Sequence, residues 1–129
     1  MRYPNTPIKG AIDNNYIALP QDFPNTMNRE QMLLLLLIEE CQEVSQRASK
    51  AIRFGMDEVQ PDQPNGETGN NRERLLREFN DLLAVMEMLS DEGHFGHDGI
   101  FRIPEWIEEK KKKIEKYLEY SKECGVYKP

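Results

Sequence analysis

Residues 32–54 read MLLLLLIEECQEVSQRASKAIRF, and the reading of this stretch decides the fold. Its apolar residues recur at helical spacing, with Leu34, Leu37, Ile38, Cys41, Ala48 and Ile52 on one stripe. Two acids, Glu40 and Glu43, stand three residues apart and so share one helix face, bordering Leu36 and Leu37. Asn28 is placed to cap the helix with Gln31 at the third helical position, and Gly55 is placed to end it. About 27 residues at 1.5 Å each make a helix about 40 Å long. A lone compact chain of 129 residues is too small to cover it, which points to a core shared between subunits.

Working outward, residues 72–92 (RERLLREFNDLLAVMEMLSDE) repeat the pattern. Asn70 and Glu73 form the signature of a capping box, and Gly93 is the stop. Leu75, Leu82, Val85, Met86 and Leu89 make the stripe. Glu78 falls near its centre, between Leu75 and Leu82, with Asp81 about 60° to one side, next to Val85. A third helix begins at Pro104, presents Trp106, Ile107, Ile114 and Leu118 as its inner face, and ends at Gly125. Residues 1–26 carry four prolines and four asparagines and read as an irregular N-terminal arm. Residues 56–70 hold two prolines and two glycines and read as a long loop. There is no strand pattern of comparable strength and no internal repeat. The expected fold is an all-α helical bundle, one domain over 1–129, its core completed by dimerisation.

The chain has 23 acidic and 17 basic residues, a net charge of −6, which argues against non-specific binding to nucleic acid. Two cysteines outside any CxxC spacing suit a reducing compartment. The N-terminus lacks the apolar core of a signal peptide. The longest aliphatic run, Leu33 to Ile38, is six residues, against the roughly 20 of a membrane helix. These features predict a soluble cytoplasmic protein with no membrane partner.

Two helices carrying Glu40 with Glu43 and Glu78 with Asp81 would gather four negative groups in one cleft. Unit charges about 4 Å apart repel by about 1 kcal/mol in water and about 4 kcal/mol at a partly buried site. A hard divalent cation turns that repulsion into a binding site. The plainer reading of each pair is a solvated acidic face, and of the whole, a non-enzymatic helical dimer that binds a protein partner through it. Glu39 adds a fifth acid one turn before Glu43.

Glu39-Glu40-Cys41-Gln42-Glu43 followed by Glu78-Phe79-Asn80-Asp81 resembles the EExxE…ExxD signature of the MazG-like, all-α nucleoside triphosphate pyrophosphohydrolases. The likeness covers residues 28–92. The 34-residue gap between the motifs is long for that family, and Asn80 stands where small or hydrophobic residues are more usual. The stretch is similar to phage-encoded members. The resemblance implies hydrolysis of a (deoxy)nucleoside triphosphate to the monophosphate and pyrophosphate, with a purine substrate (dGTP or dATP) and, for a phage protein, the host cytoplasm. It implies Mg²⁺, with Mn²⁺ able to substitute, held by Glu40, Glu43, Glu78 and Asp81. Glu39 is then an added ligand or the base that orients the attacking water. It also implies a homodimer or homotetramer.

A phosphate site needs cations. Arg47 and Lys50 follow Glu43 by one and two turns on its face, and Lys50, a flexible point charge, is the first choice for the triphosphate in catalysis and binding. Arg74 and Arg77 precede Glu78 by a turn or less. Salt bridging between i and i+4 is the plainer account of each. Base recognition falls to Asn80, to Phe54 or to the N-terminal arm. His94, His97 and Asp98 in a glycine-rich turn read as a surface feature, Cys41 as a packed core thiol, and Glu108 to Lys113 as a solvated face.

Overall fold

The computed structural model describes residues 26–61, 68–96 and 101–129. Among these there are three helices and no strand: α1 (Arg29–Phe54), α2 (Asn71–Asp91) and α3 (Pro104–Glu123). The N-terminal arm, the middle of the loop expected over 56–70, and His97 with Asp98 lie outside the described residues. Among the described residues no helix is long and apolar enough to cross a membrane.

Both expected capping boxes form. The Asn28 side chain accepts from the Gln31 N–H at 2.8 Å while the Gln31 side chain accepts from the Asn28 N–H at 3.0 Å. Asn70 and Glu73 do the same at 3.0 Å each way. These bonds satisfy N–H groups that a helix start otherwise leaves without partners. Gly69, with φ +98°, completes the second box: a Cβ there would run into the Glu73 carboxylate. At the other ends, α2 and α3 close in the same way. His94 N–H donates to Leu89 C=O and Gly93 N–H to Ser90 C=O; Val126 N–H donates to Ser121 C=O and Gly125 N–H to Lys122 C=O. Gly93 and Gly125 supply the positive φ that this closure requires.

α1 and α2 run antiparallel, since Arg29 meets Glu92 while Arg47 meets Glu78 and Gly55 meets Asn71. Their seam has two halves. Toward the start of α1, Leu33, Val85 and Leu89 are buried together with Leu36 and Leu37 partly covered, and Leu89 is 0 % exposed. Toward the connecting loop the buried residues are Arg47, Ala51, Asn71, Arg74 and Glu78, a polar set but for Ala51.

The buried face of α1 is therefore not the expected stripe. Leu33, Leu36, Leu37, Arg47 and Ala51 turn toward α2, whereas Leu34, Ile38, Cys41 and Ile52 are exposed, Ile52 at 86 %. Five leucines in succession make the first turns apolar on every side, so period alone does not phase them. Arg47, the residue that would have phased the rest, counts as polar in any hydropathy reading. Cys41 is likewise an exposed thiol and not a packed one.

α3 packs on neither α1 nor α2 among the described residues. Its expected inner face lies open, with Trp106 at 68 % exposure and Ile107 and Ile114 also exposed; only Leu118 is half-buried. Phe95 and Phe101, on either side of residues 97–100, meet ring to ring at 6.2 Å.

With so few apolar residues at the seam, Leu89→Ala should lower stability by about 2–5 kcal/mol. Gly69→Ala should lower it by about 1–3 kcal/mol through backbone strain at the cap. Urea midpoints at constant slope are the measurement for both variants.

Candidate metal centre

Glu40 on α1 and Glu78 and Asp81 on α2 come together across the seam. One carboxylate oxygen from each lies within 4.8 Å of the others. Opposite ligands of an octahedral Mg²⁺ stand about 4.2 Å apart at the usual Mg–O distance. Only one pair among three ligands can stand opposite, and the others close to about 3.0 Å, so one ion would hold the three after the carboxylates turn inward. The donor set is all oxygen, which suits a hard cation. One Glu40 carboxylate oxygen (Oε2) is buried and has no hydrogen-bond partner. A buried carboxylate oxygen left in that state costs free energy unless a proton or cation reaches it.

The crowding shows in the titration of α1's acids. Burial pushes the Glu40 carboxyl above the ordinary glutamate range, and the charges of Asp81, Glu78 and Glu39 push it the same way. Glu43 is raised first by the hydrogen bond it shares with Glu78, then by desolvation, then by the charges of Glu78, Glu40 and Asp81. Glu43 thus stands beside the trio, hydrogen-bonded to Glu78.

Glu78 also has a cation of its own. Arg47 Nε donates to Glu78 Oε1 at 3.1 Å, and each residue is 8 % exposed. A cavity of about 220 Å³ opens here, lined by Glu43, Arg47, Arg74, Arg77, Glu78 and Asp81. Arg77 and Asp81 also line a neighbouring pocket of about 440 Å³ with Glu73, Leu76 and Asn80. Glu43 also lines a third pocket, on α1, with Glu39, Gln42 and Gln46.

Of the residues expected from sequence, the structure groups Glu40, Glu78 and Asp81, with Glu43 in contact. Arg47 lies in the same cavity as a buried partner of Glu78. Glu39 lies one pocket away. Asn80 lies in the outer pocket, its amide donating to Leu76 C=O at 2.8 Å. Lys50 is half-buried and Phe54 exposed under Arg53, and neither lines the carboxylate cavity. His94 stands apart, within ion-pairing distance of Glu30 and Glu92.

Sequence reasoning passed over the loop. Asn71 Nδ2 donates to Gly55 C=O at 2.8 Å and to Glu58 at 3.1 Å, and Arg74 donates to Gln60 at 3.3 Å. Backbone N–H groups of Asn71 and Arg72 donate to Glu58 C=O and Met56 C=O. The burial of Arg74 was signalled by its place four residues before Glu78, on the same face. No spacing rule signals Gln60.

No protein-family model, no curated protein and no solved structure matches the chain.

An acid raised in the folded state stabilises at low pH, and that contribution is lost as pH rises through the raised value. For Glu43 the loss begins above the ordinary glutamate value of about 4.3. Without divalent ions, Glu43→Gln should therefore melt above the wild type at neutral pH, the difference closing as pH falls below about 4.3. Parallel melting curves across that range measure it, and a constant difference would refute it.

Proposed function

We propose that this chain is a Mg²⁺-dependent nucleoside triphosphate pyrophosphohydrolase of the MazG-like, all-α type, working in the cytoplasmic nucleotide pool with a purine deoxynucleotide as substrate. One observation carries the reading. Three carboxylates from two helices bring ligand oxygens within 4.8 Å of one another, and a buried Glu40 oxygen among them has no partner.

Glu40, Glu78 and Asp81 would hold the ion, with Glu43 as the fourth ligand. When bound, Mg²⁺ or Mn²⁺ supplies Lewis acidity at the phosphate oxygens and lowers the pKa of a water. In the reaction a water oxygen bonds to the α-phosphorus as the bond to the bridging oxygen breaks. Pyrophosphate leaves, and the water proton passes to a carboxylate. Glu39 is that base in this reading; it lines the pocket next to the carboxylate cavity, and Glu43 lines both. Asn80 and Leu76 line the outer pocket, whose volume suits a nucleoside. Lys50 and Phe54, away from the cavity, act on substrate only through a change of conformation or from a second copy.

A homodimer, or a homotetramer, completes the core in this reading. The uncovered apolar face of α3 and the exposed stripe of α1 support that part of the reading. The rival reading, a non-enzymatic helical dimer binding a protein partner through its acidic face, has one point in its favour: Arg47 already neutralises Glu78.

Mg²⁺ separates the two. At 100 times its dissociation constant it should stabilise the wild type by about 2.7 kcal/mol. Asp81→Asn, at an exposed position, should cancel that gain without unfolding the chain. The wild type should release pyrophosphate from at least one purine deoxynucleoside triphosphate. No release from any common ribo- or deoxynucleotide would sink the enzyme.

A further inference from the structure

We propose that Arg47, Arg74 and Arg77 form a subsite for the phosphate chain, and that it accepts an anion only once a divalent cation occupies Glu40, Glu78 and Asp81. This rests on the metal reading above and adds to it a binding site and an order of binding.

The argument begins with burial. Arg74 is 3 % exposed and Arg47 8 %, at a seam with few apolar residues to gain from their stems. A guanidinium does not shed its proton, so burying it calls for anions. Arg77 is exposed and stands at the mouth, lining both the inner cavity and the outer pocket. The inner cavity has about 220 Å³, the volume of about seven liquid waters at ~30 Å³ each, enough for a diphosphate-sized anion.

Charge then sets the order. The cavity walls carry three arginines and three acids, Glu43, Glu78 and Asp81, a formal balance of zero. Glu40, just beyond, tips the neighbourhood negative. An incoming phosphate chain meets no net attraction there. A divalent cation held by Glu40, Glu78 and Asp81 turns that small negative balance into a formal excess of one positive charge. The Arg47 pair is the pivot, because Glu78 Oε1 accepts from Arg47 Nε at 3.1 Å. Once the carboxylate's charge is shared with the ion, it neutralises Arg47 less, and the guanidinium attracts a phosphate oxygen more strongly. A guanidinium carries five N–H donors in a planar fork, which suits holding a protein oxygen and a phosphate oxygen together. Gln60 accepts from Arg74 at 3.3 Å and helps to orient that guanidinium. The outer pocket, reached past Arg77 and Asp81, then receives the nucleoside end of the chain.

The test titrates inorganic pyrophosphate into the full chain by calorimetry, with Mg²⁺ in excess and again in EDTA. The clean variant is Arg77→Ala, since Arg77 is exposed and its loss leaves the seam intact. Arg74→Lys serves as a second variant that keeps the buried charge. Pyrophosphate should bind with Mg²⁺ and weaken at least about tenfold in EDTA. In Mg²⁺, Arg77→Ala should weaken it about tenfold, the loss of one charge-assisted hydrogen bond. Its Mg²⁺-induced rise in melting temperature should match the wild type. Arg74→Lys should weaken binding too, through loss of the fork. If Mg²⁺ raises the melting temperature but pyrophosphate fails to bind, or binds Arg77→Ala equally well, the subsite is wrong and the metal centre stands. If Mg²⁺ leaves the wild-type melting temperature unchanged, the metal centre itself falls. Pyrophosphate binding that is equal in EDTA overturns the proposed order.

Discussion

The ion pair between Arg47 and Glu78 is the constraint on which the rest of the hairpin depends. Its two residues come from different helices, lie 3.1 Å apart, and are about nine-tenths covered. Neither can be left alone: removing one partner of such a pair costs about 3–5 kcal/mol, because the other stays buried and charged. The pair also sets how α1 lies on α2. The apolar end of the seam, Leu33 against Val85 and Leu89, is flanked by leucines on every side of α1. Such a surface tolerates sliding by a turn with modest loss. A buried guanidinium paired with a carboxylate on the opposite helix does not. Register is thus held at the polar end of the hairpin, and the apolar end supplies burial.

The same pair ties stability to chemistry. Glu78 bonds Arg47, shares a hydrogen bond with Glu43, and offers an oxygen to the cluster with Glu40 and Asp81. A carboxylate under these three demands is fixed in place, and the groups around it inherit its position. The loop reinforces this from below. Asn71 ties the end of α1 to the start of α2 through Gly55 and Glu58, and Gln60 holds Arg74. The site is therefore built on two helices clamped at one end, a footing more rigid than a loop would offer. The raised carboxyls of Glu40 and Glu43 are the strain left over: the fold brings the acids closer than their charges favour.

The helices themselves were legible because their ends are written in local chemistry. Asn28 with Gln31, Asn70 with Glu73, Pro104, and the glycines at 55, 93 and 125 act within a few residues, and each does what its spacing predicts. The acids were legible as a face because three residues make most of a turn. Their meeting across two helices depends on register, which no single helix encodes. The rotation of α1 was misread for the same reason: its buried face is marked by Arg47, whose burial follows from Glu78 opposite and not from its own polarity. The uncovered face of α3 shows the limit from the other side. A period of apolar residues says that a face wants cover, and it does not say from which chain.

The stripe first read on α1 still carries meaning. Leu34, Ile38, Cys41 and Ile52 form a real helical face, but α2 takes the neighbouring one. A helix apolar on two sides belongs between two partners. α3, itself open along Trp106, Ile107, Ile114 and Tyr117, offers a matching surface, and a second copy of the chain would bring one. The two faces of α1 also meet at a definite place. Gln42 lines both the Glu39 pocket and the apolar groove of Leu37, Ile38, Cys41 and Ser45. Cover over that groove would wall the Glu39 pocket on its far side and withdraw water from it. A lone chain leaves Glu39 in solvent, where its charge is screened. The acids and the uncovered apolar stripe sit side by side on one helix, so whatever covers the stripe also borders the Glu39 pocket.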